Sequence, residues 1–169
     1  GENKTICLDF SSVNLAKYMH IGHLSTTVIG NCLRNIFNFL GYKTIAINYI
    51  GDYGTPFGKM ITAYKLWGNE KELNEKGVDY IQDLYIKFCK EAETDETLNE
   101  QARINFAKIE KKDSEVYPLY EKFIKISKDE IQNIYKLLNI SFDSWRGESY
   151  YSDKMEPVVN ELNEKGLLQ

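Results

Sequence analysis

Thr5-Ile6-Cys7-Leu8-Asp9-Phe10 and Lys43-Thr44-Ile45-Ala46-Ile47-Asn48-Tyr49-Ile50, with the stretch from Leu24 to Leu40 between them, decide the fold. The two flanking runs are short and rich in β-branched and apolar residues, as buried strands are. Between them Leu24, Val28, Ile29, Cys32, Leu33, Ile36, Phe37 and Leu40 recur at three- and four-residue steps, which makes one apolar face of a helix. Gly41 follows, where a helix closes on a left-handed residue. Strand, helix and strand within residues 5–50 form a βαβ unit, predicted to have parallel strands and a right-handed crossover. Ligands of such sheets bind beyond the carboxyl ends of the strands. Chemistry is therefore expected between Phe10 and the helix, and again after Ile50.

Further along, Thr55-Pro56 predicts a helix with threonine as cap and proline at the first helical position. Beyond Gly68 the composition turns to Lys, Glu, Asn and Asp around sparse apolar positions such as Ile81, Leu84, Tyr85 and Phe88, which predicts an amphipathic helical insertion over 69–112. Another helix is predicted over 117–139, with Leu119, Phe123, Ile131, Ile134, Tyr135 and Leu138 inward. A short extended piece at Ser141-Phe142-Asp143, a polar loop at 146–151 and a helix over 153–165 complete the chain. The predicted class is α/β, the first half of a Rossmann-like parallel-sheet nucleotide-binding domain with a helical insertion. Its parts are 1–68, the insertion 69–112, and a connective part 113–169.

The chain has 21 basic and 25 acidic residues, a net charge of −4. A self-sufficient nucleic-acid module would need a basic excess for phosphate contacts, so that class is disfavoured. No apolar run approaches the ~20 residues that span a bilayer, and no secretory signal is expected. A cytoplasmic location is expected. Cys7, Cys32 and Cys89 are too dispersed for a disulfide framework or a zinc site, and are read as small apolar fillers in a reducing compartment. No protein metal site is expected.

The only two histidines fall together in His20-Ile21-Gly22-His23, at the predicted helix entrance. A helix N-terminus presents unpaired N–H groups and partial positive charge to phosphate, worth roughly 0.3–1 kcal/mol. Two imidazoles add directional donors, and Gly22 would let a flat base approach the backbone. Incidental surface or core histidines are the alternative, but would leave their clustering at one helix entrance unexplained.

These residues resemble the HIGH signature of class I aminoacyl-tRNA synthetases. Asp9-Phe10-Ser11-Ser12-Val13-Asn14-Leu15-Ala16-Lys17 before it, and His23-Leu24 to Ile29-Gly30 after it, resemble the surroundings of that signature in arginyl-tRNA synthetases. Asn48-Tyr49-Ile50-Gly51-Asp52-Tyr53-Gly54-Thr55 with Phe57-Gly58-Lys59 resembles the family's GDWGTQFG element. Phe142-Asp143 with Arg146-Gly147-Glu148-Ser149 resembles its FD…GES segment.

The resemblance implies arginine activation by ATP, with Mg2+ accompanying the nucleotide, followed by transfer to tRNA(Arg). It implies that His20, Gly22, His23 and Lys17 meet ATP, with His20, His23 and Lys17 catalytic. Lys17 would act as a phosphate contact compensating for a missing second-signature lysine. Asn14 would contact the amino acid, Glu148 would grip the guanidinium in two parallel hydrogen bonds, and Ser11, Asp52 and Ser12 would shape the substrate loops. For Asn14 and Asp52 an ordinary turn role stays open, as does a solvated surface role for Lys17 and Glu148.

Ser25 stands where the family has arginine, Pro56 where it has glutamine and Tyr53 where it has tryptophan. A KMSKS-type loop, the second half of the nucleotide fold and a helical anticodon-binding region are not recognised. The chain is therefore expected to be a catalytic-domain fragment with little adenylation activity alone, and tRNA is expected to be held mainly by other regions. Two alternatives remain: another HIGH-type adenylate-forming or nucleotidyl-transfer enzyme, and an inactive synthetase paralogue or interaction domain.

Overall fold

A computed structural model describes residues 1–15 and 17–168 of the chain. Strands β1 (Thr5–Asp9) and β2 (Lys43–Ile47) pair in parallel, in register from Thr5 opposite Lys43 to Asp9 opposite Ile47. Helix α1 (Ile21–Phe39) makes the crossover between them. On the far side of β2 the segment at Asp143 and Ser144 adds a further parallel bridge, Ile47 to Ser144. There the Asn48 N–H donates to the Ser144 carbonyl (2.9 Å) and the Asp143 N–H to the Ala46 carbonyl (2.9 Å). The Asp143 carboxylate accepts from the Ala46 N–H (2.8 Å) and pairs with Arg34 of α1 (3.0 Å), stapling the crossover helix to the sheet.

The predicted βαβ unit is present, but α1 starts at Ile21, three residues before Leu24, because the His20 side chain caps it. Its apolar stripe does not face a core. Val28, Ile29, Leu33 and Ile36 are 44–58% exposed, and the buried residues of the helix are Thr27 and Gly30. Gly30 lies against the Phe10 ring, where a Cβ would fall 2.2 Å from Phe10 Cγ. Among the described residues nothing covers the stripe. Cys32 on that helix and Cys7 on β1 are exposed, which corrects their reading as small apolar fillers, and Cys89 is half-buried.

The core lies around α2 (Thr55–Trp67), which buries Phe57, Met60, Ile61 and Ala63. Gly54, at φ +113°, takes the cap position, so Thr55 is already helical and no side chain caps this helix. The region predicted as an insertion forms α3 (Glu70–Lys76), α4 (Val78–Glu91) and α5 (Glu96–Glu110). Helix α5 packs tightly on α2: a Cβ at Gly58 would meet the Ala102 carbonyl at 2.1 Å. Asn105 on α5 donates to the Thr62 hydroxyl in the same buried seam (2.8 Å).

Helix α6 (Tyr117–Leu137) closes the core with Tyr120, Phe123, Ile131 and Tyr135. One continuous cluster of buried residues runs from Phe10 and Val13 through Ile61 and Phe88 to Phe123, crossing 68/69 and 112/113 without a break. The predicted polar loop at 146–151 is largely a 3-10 turn over Glu148–Lys154, leading into α7 (Met155–Glu164).

Candidate active site

The sequence motifs converge on the carboxyl ends of β1 and β2. Three loops meet there, centred on residues 50–52. The first follows β1: Gly51 N–H donates to the Val13 carbonyl (3.0 Å) and Leu15 N–H to the Gly51 carbonyl (2.9 Å), with Asn14 bridged to Gly51. Asn14 Oδ1 lies 2.0 Å from where a Gly51 Cβ would be, so a side chain here would push the Asn14 amide aside. The third loop is tied in by Glu148 N–H, which donates to the Ile50 carbonyl (3.1 Å). At Gly147 a Cβ would come within 2.5 Å of that same carbonyl.

Asp52, buried, accepts from the Ser149 N–H with Oδ1 (2.8 Å) and from the Ser149 hydroxyl with Oδ2 (2.7 Å). Its backbone carbonyl takes the Tyr120 hydroxyl (2.6 Å), and the Tyr120 phenol is raised by burial and then by the Asp52 charge. The carboxylate thus brackets the Glu148 segment. Glu148 itself is half-buried, and its carboxylate carries no ion pair among the described residues.

Tyr49 reports the field of this corner. Its phenol is raised first by desolvation and then by the charges of Glu148, Tyr151, Asp52 and Asp9. Asp9, the last residue of β1 and paired with Ile47 at the end of β2, lies at the same corner. Sequence reading quoted it only as a flank of the signature, although its place as the last residue of β1 was the available signal. Its carboxylate accepts from the Ser12 hydroxyl (3.0 Å).

Ser11 and Ser12 both adopt left-handed backbone, at φ +74° and +47°, a conformation costing a non-glycine residue roughly 1–2 kcal/mol. Partners hold it there. Ser11 Oγ contacts Thr27 Oγ1 (2.6 Å) and Tyr135 Oη (2.5 Å), and Ser12 N–H donates to Asn48 Oδ1 (3.1 Å).

At the helix entrance His20 Nδ1 accepts from the Gly22 N–H (3.1 Å), so one free helix N–H is taken by the motif's own imidazole. The His20 and His23 rings stack, with centroids 3.9 Å apart. A Cβ at Gly22 would approach the His20 ring at 3.0 Å, so glycine here serves the capping imidazole. His23 is lowered by desolvation, then by the charges of His20 and Lys17, and its Nδ1 is buried without a hydrogen-bond partner. Lys17 is exposed near this pair, 6.0 Å from the Tyr85 ring centroid on α4. The next residue, Tyr18, donates to Asp79 at the start of α4 (2.8 Å).

The site thus has a cationic and imidazole-lined side at the start of α1 and an acidic side around Asp9, Asp52 and Glu148. Among the described residues no group of three or more His, Cys, Asp or Glu could hold a metal ion. None of the helices among the described residues is long and apolar enough to cross a membrane.

The parallel βαβ unit, its crossover helix capped by the first of two stacked histidines, belongs to a class I synthetase catalytic domain. Residues 1–169 match the family described as tRNA synthetases class I (R), catalytic domain. The chain belongs to that family, the catalytic domains of arginyl-tRNA synthetases. It is 49% identical over 169 residues to the arginine–tRNA ligase of Halothermothrix orenii and 46% identical over 168 residues to that of Clostridium beijerinckii, all or nearly all of this chain in each case. It spans about 30% of the length of those relatives. The arginyl-tRNA synthetase crystal structure from Plasmodium falciparum superimposes with a TM-score of 0.79 at 30% identity, covering 98% of this chain and 28% of that one.

Proposed function

We propose that the protein is an arginine–tRNA ligase in which residues 1–68 and 113–169 furnish part of the ATP and arginine sites, with 69–112 as a helical buttress. The observation that carries this reading is the division of the site: an imidazole and lysine side for phosphate, and an acidic side for a guanidinium. The arginine carboxylate attacks the α-phosphorus of ATP, forming the mixed anhydride and expelling pyrophosphate. A ribose hydroxyl at the tRNA 3′ end then attacks the aminoacyl carbon, releasing AMP.

In the first step His20, His23 and Lys17 act as donors to charge on the phosphate oxygens. Donors of this kind are worth most in a preorganised, partly dry site. His23, held neutral at pH 7, donates as imidazole. Glu148 would receive the guanidinium and Asn14 the amino-acid end, which orients the carboxylate for in-line attack. Mg2+ would arrive with the nucleotide. Among the described residues no group of three or more His, Cys, Asp or Glu would hold it.

The test is arginine-dependent ATP–pyrophosphate exchange by the full-length protein with tRNA present. Exchange with arginine and none with lysine or citrulline is expected. Exchange that ignores the guanidinium would defeat the arginine assignment, and no exchange with any amino acid would defeat the activity.

A further inference from the structure

Tyr135 sits on α6, 124 positions from Ser11, yet its hydroxyl lies 2.5 Å from the Ser11 hydroxyl in a buried network that ends at the signature motif. The donors in this network can be assigned. Ser12 N–H can only donate, so the Asn48 atom that receives it is the amide oxygen, and Asn48 Nδ2 must then donate to Tyr135 Oη (3.2 Å). At the other end the His23 carbonyl can only accept, so the Thr27 hydroxyl donates to it (2.6 Å). The Thr27 proton being used, the Ser11 hydroxyl donates to Thr27 (2.6 Å), and the Tyr135 hydroxyl donates to Ser11. The chain runs one way only: Asn48 to Tyr135 to Ser11 to Thr27 to the carbonyl of His23.

Every hydroxyl in it is buried: Tyr135 is 2% exposed, Ser11 6% and Thr27 0%. Burial keeps the Tyr135 phenol protonated, as its donor role requires. Its ring is fixed by Phe142 and Trp145, with centroids at 5.1 and 5.6 Å. Through Asn48 the same phenol is also linked to the Ser12 backbone, and the Ser12 hydroxyl in turn donates to Asp9.

From this geometry we infer that Tyr135 is a positioning residue: its hydroxyl holds the Ser11–Ser12 left-handed kink, and through it Asp9 and Asn14, in the arginine-competent arrangement while registering that loop against the His20–His23 helix entrance. This rests on the proposed arginine activation. Loss of the hydroxyl leaves Ser11 without its buried donor and lets two strained residues relax. The amino-acid side of the site, rather than the nucleotide side, is then displaced.

The experiment is steady-state pyrophosphate exchange in the full-length enzyme with saturating tRNA, varying arginine and ATP separately, for Tyr135→Phe and Thr27→Val. Phenylalanine preserves the ring packing and valine the shape of threonine. Tyr135→Phe is expected to raise the arginine KM about tenfold, the scale of one unsatisfied buried hydrogen bond, with the ATP KM within about twofold. Thr27→Val, acting at the far end, should move the same parameter, and the double variant should lose less than the product of the two because both break one chain. An arginine KM unchanged in Tyr135→Phe, with only the melting temperature lowered, would reduce Tyr135 to core packing and overturn the inference. If Tyr135→Phe does not fold, Thr27→Val decides alone, on the same criterion. A wild-type enzyme without arginine-dependent exchange would overturn both this inference and the proposed function, whereas an active wild type with unmoved variants overturns the inference alone.

Discussion

Both carboxylate oxygens of Asp52 are taken up by one residue, Ser149, whose N–H and hydroxyl they accept at 2.8 and 2.7 Å. The loop after β2 and the segment carrying Glu148 are therefore tied together at this point. Asp52→Ala leaves the Ser149 N–H unpaired in a partly buried position, which costs about 1–3 kcal/mol. It should lower stability and raise the arginine KM together. Asp52→Asn should lose less of both, since the Ser149 hydroxyl can turn to accept from the amide. Urea unfolding alongside exchange kinetics checks this. A raised KM at unchanged stability would instead make Asp52 a direct substrate ligand.

Glu148 is positioned by its backbone but has no ion pair of its own among the described residues. Glu148→Gln keeps the shape and replaces one acceptor oxygen with a donor, so a two-bond guanidinium contact cannot survive. The expected loss is about 1.5–3 kcal/mol, the range for hydrogen bonds to charged groups, read as a higher arginine KM. The ATP KM should hardly move. The reverse pattern, with ATP weakened and arginine unaffected, would remove Glu148 from the arginine site.

Replacing His20 or His23 by alanine should slow adenylate formation about 10²–10³-fold, roughly 2.7–4 kcal/mol, as loss of a preorganised donor does. His20→Ala carries a second cost, because its Nδ1 caps α1. Loss of a cap destabilises by about 1 kcal/mol. Single-turnover rates with saturating arginine and ATP, set beside melting temperatures, separate the two effects. Rates within twofold of wild type for both variants would return the pair to a structural role.

His23 also predicts a pH dependence. Its folded pKa lies below the ordinary 6.5 because of burial and the neighbouring positive charges. Well above 6.5 the folded and unfolded chains carry the same neutral imidazole, and the group contributes nothing further to the slope. As pH falls below 6.5 the unfolded chain binds the proton first, so stability drops until the folded pKa is passed. Urea midpoints should fall between pH 6.5 and 5.5, and the fall should be shallower in His23→Ala. An identical slope in wild type and variant would exclude His23 as its source. Asp113 and Glu115, whose pKa values are lowered from 3.8 and 4.5, act in the same direction at more acid pH and leave this window clear.

Local chemistry written along the chain determined much of this protein. Alternation of strand, helix and strand over residues 5–50 implies a parallel unit, because a right-handed crossover has few other solutions. The pairing of His20 with His23 at a helix entrance and the flanking motifs pointed to the family and to one end of the sheet. Only the tertiary structure decided what each residue is used for. Asp9 joined the acidic side because the ends of β1 and β2 are adjacent in space. Asp52 became a bracket for Ser149 across 97 positions, and Tyr135 reached Ser11 across 124, contacts that no local pattern encodes. The stripe of α1 marks the other boundary. A 3.6-residue period states that a helix has an apolar face, but burial depends on what else occupies the space beside it, which is why Val28 and Ile36 stand open here while Phe123 does not.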